Sequence, residues 1–159
     1  MAHLLPEIHA LLQALVSLVL GGALGWERES AGKWAGLRTH MLVCLAATLF
    51  TRLGVLLIAE SASHVAPASV RADPIHIIAA IATGISFLGA GTIFRDRSGK
   101  SRGLTTAAGL LVTAAIGIAI GTDHYVIAVG VTLICFFVLH TLRRLEKNLS
   151  LASKANERE

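Results

Sequence analysis

Charge is scarce in this sequence. Of its 159 residues only 15% are Asp, Glu, Lys or Arg, while 54% are hydrophobic and the mean hydropathy is +0.69. A soluble domain cannot place that much apolar surface away from water, so composition alone argues against one. Cysteine is nearly absent too. Cys44 and Cys135 each lie within an apolar block, with no CxxC or Cys/His spacing nearby, and read as small hydrophobes in helix interiors. The N-terminus lacks lysine and arginine until Arg28, which follows the first apolar block. That is the reverse of a cleavable signal peptide, so the block is expected to remain as a membrane span. Catalytic sets are missing as well. Gly99-Lys100-Ser101 resembles the end of a phosphate-binding loop, but the position five residues before Gly99 is Phe94 rather than glycine. His40, His64, His76, His124 and His140 show no repeated metal-ligand spacing, and no Ser/His/Asp set can be assembled. No enzyme is expected, and no cofactor.

What is present is a series of apolar blocks, several reaching the roughly 20 residues that cross about 30 Å of hydrocarbon as helix. Five spans are predicted: 8–26, 37–59, 75–94, 104–120 and 125–142, followed by a polar tail, 146–159, whose end after Leu149 reads as disordered. The fold class is therefore all-α, a polytopic transmembrane bundle in residues 1–145. Asp73 can cap the third span, with Pro74 at its first helical position. Gly121 is a natural stop for the fourth. Orientation follows from the basic residues. Arg28, Lys33 and Arg38 flank the first connection, Arg95, Arg97, Lys100 and Arg102 the third, and Arg143, Arg144, Lys147, Lys154 and Arg158 follow the last span. These fall on one side, which places the N-terminus outside and the C-terminus in the cytoplasm. The net charge of +4 is thus spent beside apolar blocks, where anionic lipid head groups rather than nucleic acid are the partners.

Helices associate in lipid by close packing of small residues. The fourth span carries Thr105, Gly109, Thr113, Gly117 and Gly121 at four-residue spacing, the third Ala82, Ser86 and Ala90, and the first Gly21 and Gly25. With Gly84, Gly89 and Gly91 these are the expected packing positions, within the chain or in a homodimer. Ionisable groups at membrane depth are costly and mark candidate function. Glu27-Arg28-Glu29 at the inner end of the first span is the strongest such group, and an ion pair of Glu27 with Arg28, Arg38 or Arg102 is the expected reading, ahead of a metal-ligand role. Arg52 is expected to snorkel outward, or residues 53–59 to lie along the interface. Magnesium needs several oxygen ligands, usually with carboxylates among them. Glu27 sits at one surface and Asp73 at the other, with no acid near the midplane, so both are weak candidates for metal.

Several stretches together resemble the MgtC/SapB family of bacterial membrane proteins: Leu24-Gly25-Trp26-Glu27-Arg28-Glu29, Ala35-Gly36-Leu37-Arg38-Thr39-His40, Asp73-Pro74, residues 83–91 (TGISFLGAG) and Arg102-Gly103-Leu104-Thr105-Thr106-Ala107-Ala108. The resemblance covers about residues 10–140. It implies an inner-membrane protein of about five spans, linked to growth under magnesium limitation and to survival of pathogens in host cells. It further implies a regulatory role toward other membrane proteins, the proton ATP synthase among them, with ion transport as the alternative. The family's characteristic polar positions fall on Glu27, Arg28, Arg38, Thr39, His40, Asp73, Arg102, Thr105 and Thr106. The sequence departs at His76 and at Ala79 or Ala80, where the family often has arginine and glutamine, and at Leu111, often tryptophan. Longer members carry a soluble domain after the last span, and the expectation here is of the transmembrane domain without it.

Overall fold

The computed structural model describes residues 4–64 and 73–156, with side chains for 4–60 and 73–141. The apolar blocks form five helices: α1 Leu4–Ser30, α2 Leu37–His64, α3 Pro74–Gly91, α4 Leu104–Gly121 and α5 Tyr125–Asn156. Four are long and apolar enough to cross a membrane, and the first part of α5, Tyr125–Thr141, is apolar as well. The basic side chains after the last span lie outside the described residues.

Local chemistry sets the helix ends. The Asp73 carboxylate accepts the Ile75 N–H at 2.9 Å and Pro74 occupies the first turn, as the sequence predicts. α4 stops at Gly121, and Asp123 then takes a left-handed backbone with φ +63°. α1 and α2 run a few residues beyond their expected bounds, and three further features differ from expectation. The third helix ends at Gly91 rather than running to Phe94, because a two-stranded hairpin follows, Phe94–Arg95 (β1) against Ser101–Arg102 (β2). α2 continues as one helix past Arg52, since that side chain has an acidic partner described below. The tail beyond Leu149 continues α5 to Asn156, because it is polar but holds helix formers and neither Gly nor Pro.

Packing is uneven. α4 is central: its buried residues, Thr106, Leu110, Thr113, Ala114, Ile116, Gly117, Ile120 and Gly121, point in several directions and meet α1, α2, α3 and α5. α1 and α2 pack closely on each other and on α4. Two apolar clusters result, one around Val43, Ala47, Ile81, Leu110 and Ala114, the other around Leu24, Cys44, Ile116, Ile120 and Ala128. α3 lies at the edge. Only Ile81 and Gly89 of its residues are buried, and its apolar window is 11% buried against 44% for α4.

Candidate functional site

Where α1, α2 and α4 meet, small and polar side chains are buried beside the apolar cluster of Leu24, Ile116 and Ile120. α1 contributes Gln13, Ser17, Gly21, Gly25 and Arg28, α2 contributes His40, Cys44, Thr48 and Thr51, and α4 contributes Thr106, Thr113 and Gly117. Spacings of three, four or seven residues put each set on one helix face. Glycine lets the backbones touch: a Cβ on Gly25 would lie 2.7 Å from Leu37 Cα, and one on Gly117 would meet the Cys44 carbonyl oxygen. The Thr48 hydroxyl lies 2.9 Å from the Cys44 carbonyl and 3.0 Å from that of Gly117, tying α2 to α4. Ser17 and Thr113 donate to carbonyls of their own helices, Ala14 at 2.7 Å and Gly109 at 2.8 Å. A polar seam therefore runs through the bundle from one end to the other.

At the basic end the seam closes on an ion pair. Arg28 Nε donates to Glu27 Oε2 at 2.7 Å, and both side chains are 3% exposed. His40, also buried, faces the Gly36 carbonyl through Nδ1 at 3.0 Å and lies within electrostatic reach of both charges. Arg28 Nη1 is buried without a hydrogen-bond partner. Of the nine predicted polar positions, Glu27, Arg28, His40 and Thr106 are buried at this end. Arg38 and Thr39 are exposed and border a groove between α2 and α3. Arg102 and Thr105 line a cleft of about 340 Å³ with Lys33 and Trp34. Asp73 sits at the opposite end of the bundle. Arg102 pairs with Asp96 at 2.8 Å, while the Glu27 pair is with its neighbour Arg28. Glu27 and Asp73, at opposite ends, cannot share an ion, and among the described residues no three His, Cys, Asp or Glu side chains group together.

The expected packing glycines also separate. Gly21, Gly25, Gly117 and Gly89 face backbone or side chains of neighbouring elements, and Gly109 faces His40. A Cβ on Gly84 or Gly91 would meet nothing within 4 Å. Those two do not serve contacts inside the chain.

The opposite end holds a cluster that sequence reading missed. Asp123, in the α4–α5 turn, accepts from Gln13 Nε2 at 3.0 Å, from the Tyr125 hydroxyl at 3.2 Å and from Arg52 Nη1 at 3.3 Å, with His9 Nε2 at 3.4 Å. Gln13 also donates to the Ile120 carbonyl at 2.7 Å. One carboxylate thus ties α1 and α2 to the α4–α5 turn, and Arg52 reaches toward that end of the bundle to meet it. The available signal was a lone glutamine and a lone arginine, each inside an otherwise apolar block. Asp123→Asn keeps the left-handed backbone, which Asn tolerates, but removes the charge. Because Asp123 is 47% exposed, the expected loss is modest, about 1 kcal/mol, rising to about 2 kcal/mol for Asp123→Ala, which also loses the acceptors. Thermal unfolding in detergent reads both, and wild-type stability in the alanine variant would refute the hub.

In the hairpin, Asp96 accepts from the Ser98 hydroxyl at 2.6 Å, Arg102 Nε at 2.8 Å, and the Ser98 and Lys100 N–H groups at 2.9 and 3.1 Å. These bonds, that of Ser98 first and that of Arg102 next, hold its carboxyl well below the usual carboxylate range. A depressed folded value means that the contribution to stability is present above the ordinary Asp range. It is lost only as pH falls through the lower folded value.

The family model that matches this sequence is that of the MgtC family, over residues 14–148. The chain belongs to the MgtC family. The matched stretch contains the buried ion pair, the seam from Ser17 onward and the Asp123 turn, and begins one residue after Gln13. Among curated relatives, the protein named "Putative magnesium transporter YhiD" of Escherichia coli K12 is 38% identical over 148 residues, 89% of this chain and 66% of its own length. "Protein MgtC" of Brucella abortus is 36% identical over 116 residues, covering 73% of this chain and 44% of that one. "Protein SrpB" of Synechococcus elongatus is 33% identical over 140 residues, 84% of this chain and 74% of its own. The chain thus spans just under two thirds of YhiD and under half of the Brucella protein. No solved structure matches it.

Proposed function

We propose that this MgtC-family chain supports adaptation to magnesium limitation as a regulator of other membrane proteins. It would act in the bacterial inner membrane with its basic end in the cytoplasm. On this reading it performs no catalytic step and holds no cofactor; it docks on a partner such as the proton ATP synthase and so keeps membrane potential and ATP in range. The observation that carries the proposal is the state of α3. Its small-residue ridge, Ala82, Ser86 and Ala90, has Ser86 and Ala90 exposed, flanked by Phe87 at 81% exposure. The comparable ridge of α4 is used up against α2. A ridge of small residues left at the edge of a bundle suits a neighbouring transmembrane helix. That helix can come from the regulated protein or from a second copy in a homodimer.

A second reading is ion transport, favoured by the polar seam and by the buried, unpartnered Gln13 Oε1, Thr51 Oγ1 and Arg28 Nη1 along it. The magnesium in YhiD's name points the same way. One pair of experiments separates the two. In proteoliposomes holding the purified chain, the regulatory reading expects magnesium, sodium, potassium and proton fluxes equal to those of empty vesicles. In cells, a photo-cross-linker at Ser86 should capture a partner helix, and Ser86→Trp should abolish growth support at low magnesium while the protein accumulates normally. Saturable flux, lost on changing Gln13 or Arg28, would establish transport instead.

A further inference from the structure

The geometry points to the groove between α2 and α3 as a binding site for a phospholipid with an anionic head group, drawn from the leaflet at the basic end of the bundle. The groove has a volume of about 970 Å³ and is open along its side rather than sealed. Leu42, Ala46 and Phe50 of α2 form one wall, and Ile77, Gly84 and Leu88 of α3 the other. Apart from His76 at the end away from Arg38, such walls suit an acyl chain and offer a hydrophilic ligand nothing. The wall at Gly84 is set back because that residue has no side chain, and a Cβ there would find open space.

The end of the groove is chemically different from its length. Arg38 and Thr39 stand at its basic mouth, both exposed, and Arg38 has no ion-pair partner among the described residues. A second cleft of about 400 Å³ continues the groove past Thr39 and Leu88, beneath the edge-to-face pair of Trp34 and Phe94, whose rings are 5.2 Å apart. An aromatic pair and an unpaired guanidinium at the same end of one continuous groove are the setting of the head-group level, where tryptophan and arginine anchor to lipid. Lys33, Arg95, Arg97 and Lys100 add exposed positive charge at this end, against Glu29 and an Asp96 already paired with Arg102. A phosphodiester at the mouth would meet Arg38 through charge-assisted hydrogen bonds, while its chain would fill the space that separates α3 from α2. This complementarity of charge and apolarity favours a lipid over a protein helix, which would bring no anion to Arg38. The groove is a different face of α3 from the Ser86 ridge, so the lipid site and the partner site can be tested separately.

The test is lipid retention by the full chain. Protein purified in mild detergent and exchanged into mixed phosphatidylglycerol and phosphatidylcholine would be weighed by native mass spectrometry. The expected result is one retained lipid per chain, with phosphatidylglycerol preferred about five-fold, the effect of roughly one basic residue near an anionic surface. Arg38→Gln should retain lipid without preference. Gly84→Leu, whose Cβ would meet nothing within 4 Å and whose branch would occupy the groove, should lose the lipid. Raising salt to 1 M, where screening shortens to about 3 Å, should abolish the preference in the unaltered protein and so needs no variant to fold. Equal retention of the two lipids, a preference unchanged in Arg38→Gln or in high salt, or a cross-link from Gly84 to a second copy or another protein would each overturn the assignment.

Discussion

Arg28→Leu is expected to destabilise the bundle by about 3–5 kcal/mol, the loss seen when one member of a buried ion pair is removed. Both side chains are 3% exposed, so the Glu27 carboxylate would lose the guanidinium charge that faces it without gaining access to bulk water. The carboxylate must then take up a proton or open the end of the bundle. Replacing both residues, Glu27→Leu with Arg28→Leu, is expected to recover most of that loss. The cost of burying two charges disappears with them, and so does the unpartnered Arg28 Nη1. Reversible unfolding in mixed micelles measures both variants. A single variant within about 1 kcal/mol of wild type would mean that the pair is hydrated and does not hold the basic end of the bundle together. If the double variant is stable yet fails to support growth at low magnesium, the pair serves function rather than folding.

The second large effect is expected at Gly117. A Cβ there would sit 2.8 Å from Ala47 Cβ and 3.1 Å from Thr48 N, and still closer to the Cys44 carbonyl oxygen. These are atoms of a packed helix, and backbone cannot rotate aside as a side-chain tip can. Gly117→Ala must therefore push α2 from α4 and stretch the 3.0 Å contact of the Thr48 hydroxyl with the Gly117 carbonyl. A loss of about 2–3 kcal/mol is expected, at the upper end of overpacking costs because backbone is involved. Gly84→Ala is the control. With nothing within 4 Å, the added methyl meets no atom, and replacing glycine inside a helix gains about 0.5–1 kcal/mol. The same chemical change should thus have opposite signs at two glycines of one bundle. Equal effects at both sites would show that α2 and α4 are not in the close contact described.

Much of the fold was legible beforehand because membrane crossing is a demand on composition along the chain. Apolar blocks of sufficient length announce helices, and Asp73-Pro74 and Gly121 mark ends through local backbone chemistry alone. The four-residue ridge of α4 was legible for the same reason. What faces the ridge was not: Gly109 meets His40 of α2, and Gly117 meets Cys44 and Ala47 of the same helix. The hairpin at 94–102 escaped notice because Phe94 reads as the end of an apolar run, whereas the Asp96 side chain collects four hydrogen bonds that turn the chain back.

The candidate site divides along the same line. The sequence by itself determined that the chain is a helical membrane bundle with its positive charge gathered at one end, since hydropathy and charge placement need no knowledge of neighbours. It also singled out Glu27 and Arg28, because charge beside an apolar block is conspicuous in one dimension. Only the tertiary structure decided that these two pair with each other, that Arg102 belongs to Asp96, and that Arg38 is left facing a lipid-sized groove. Only it joined Gln13, Arg52 and Asp123, residues 110 and 71 positions apart in the chain, into one cluster. The physical reason is that burial, pairing and groove shape depend on which helix faces turn toward each other, and that choice is made by packing between distant segments.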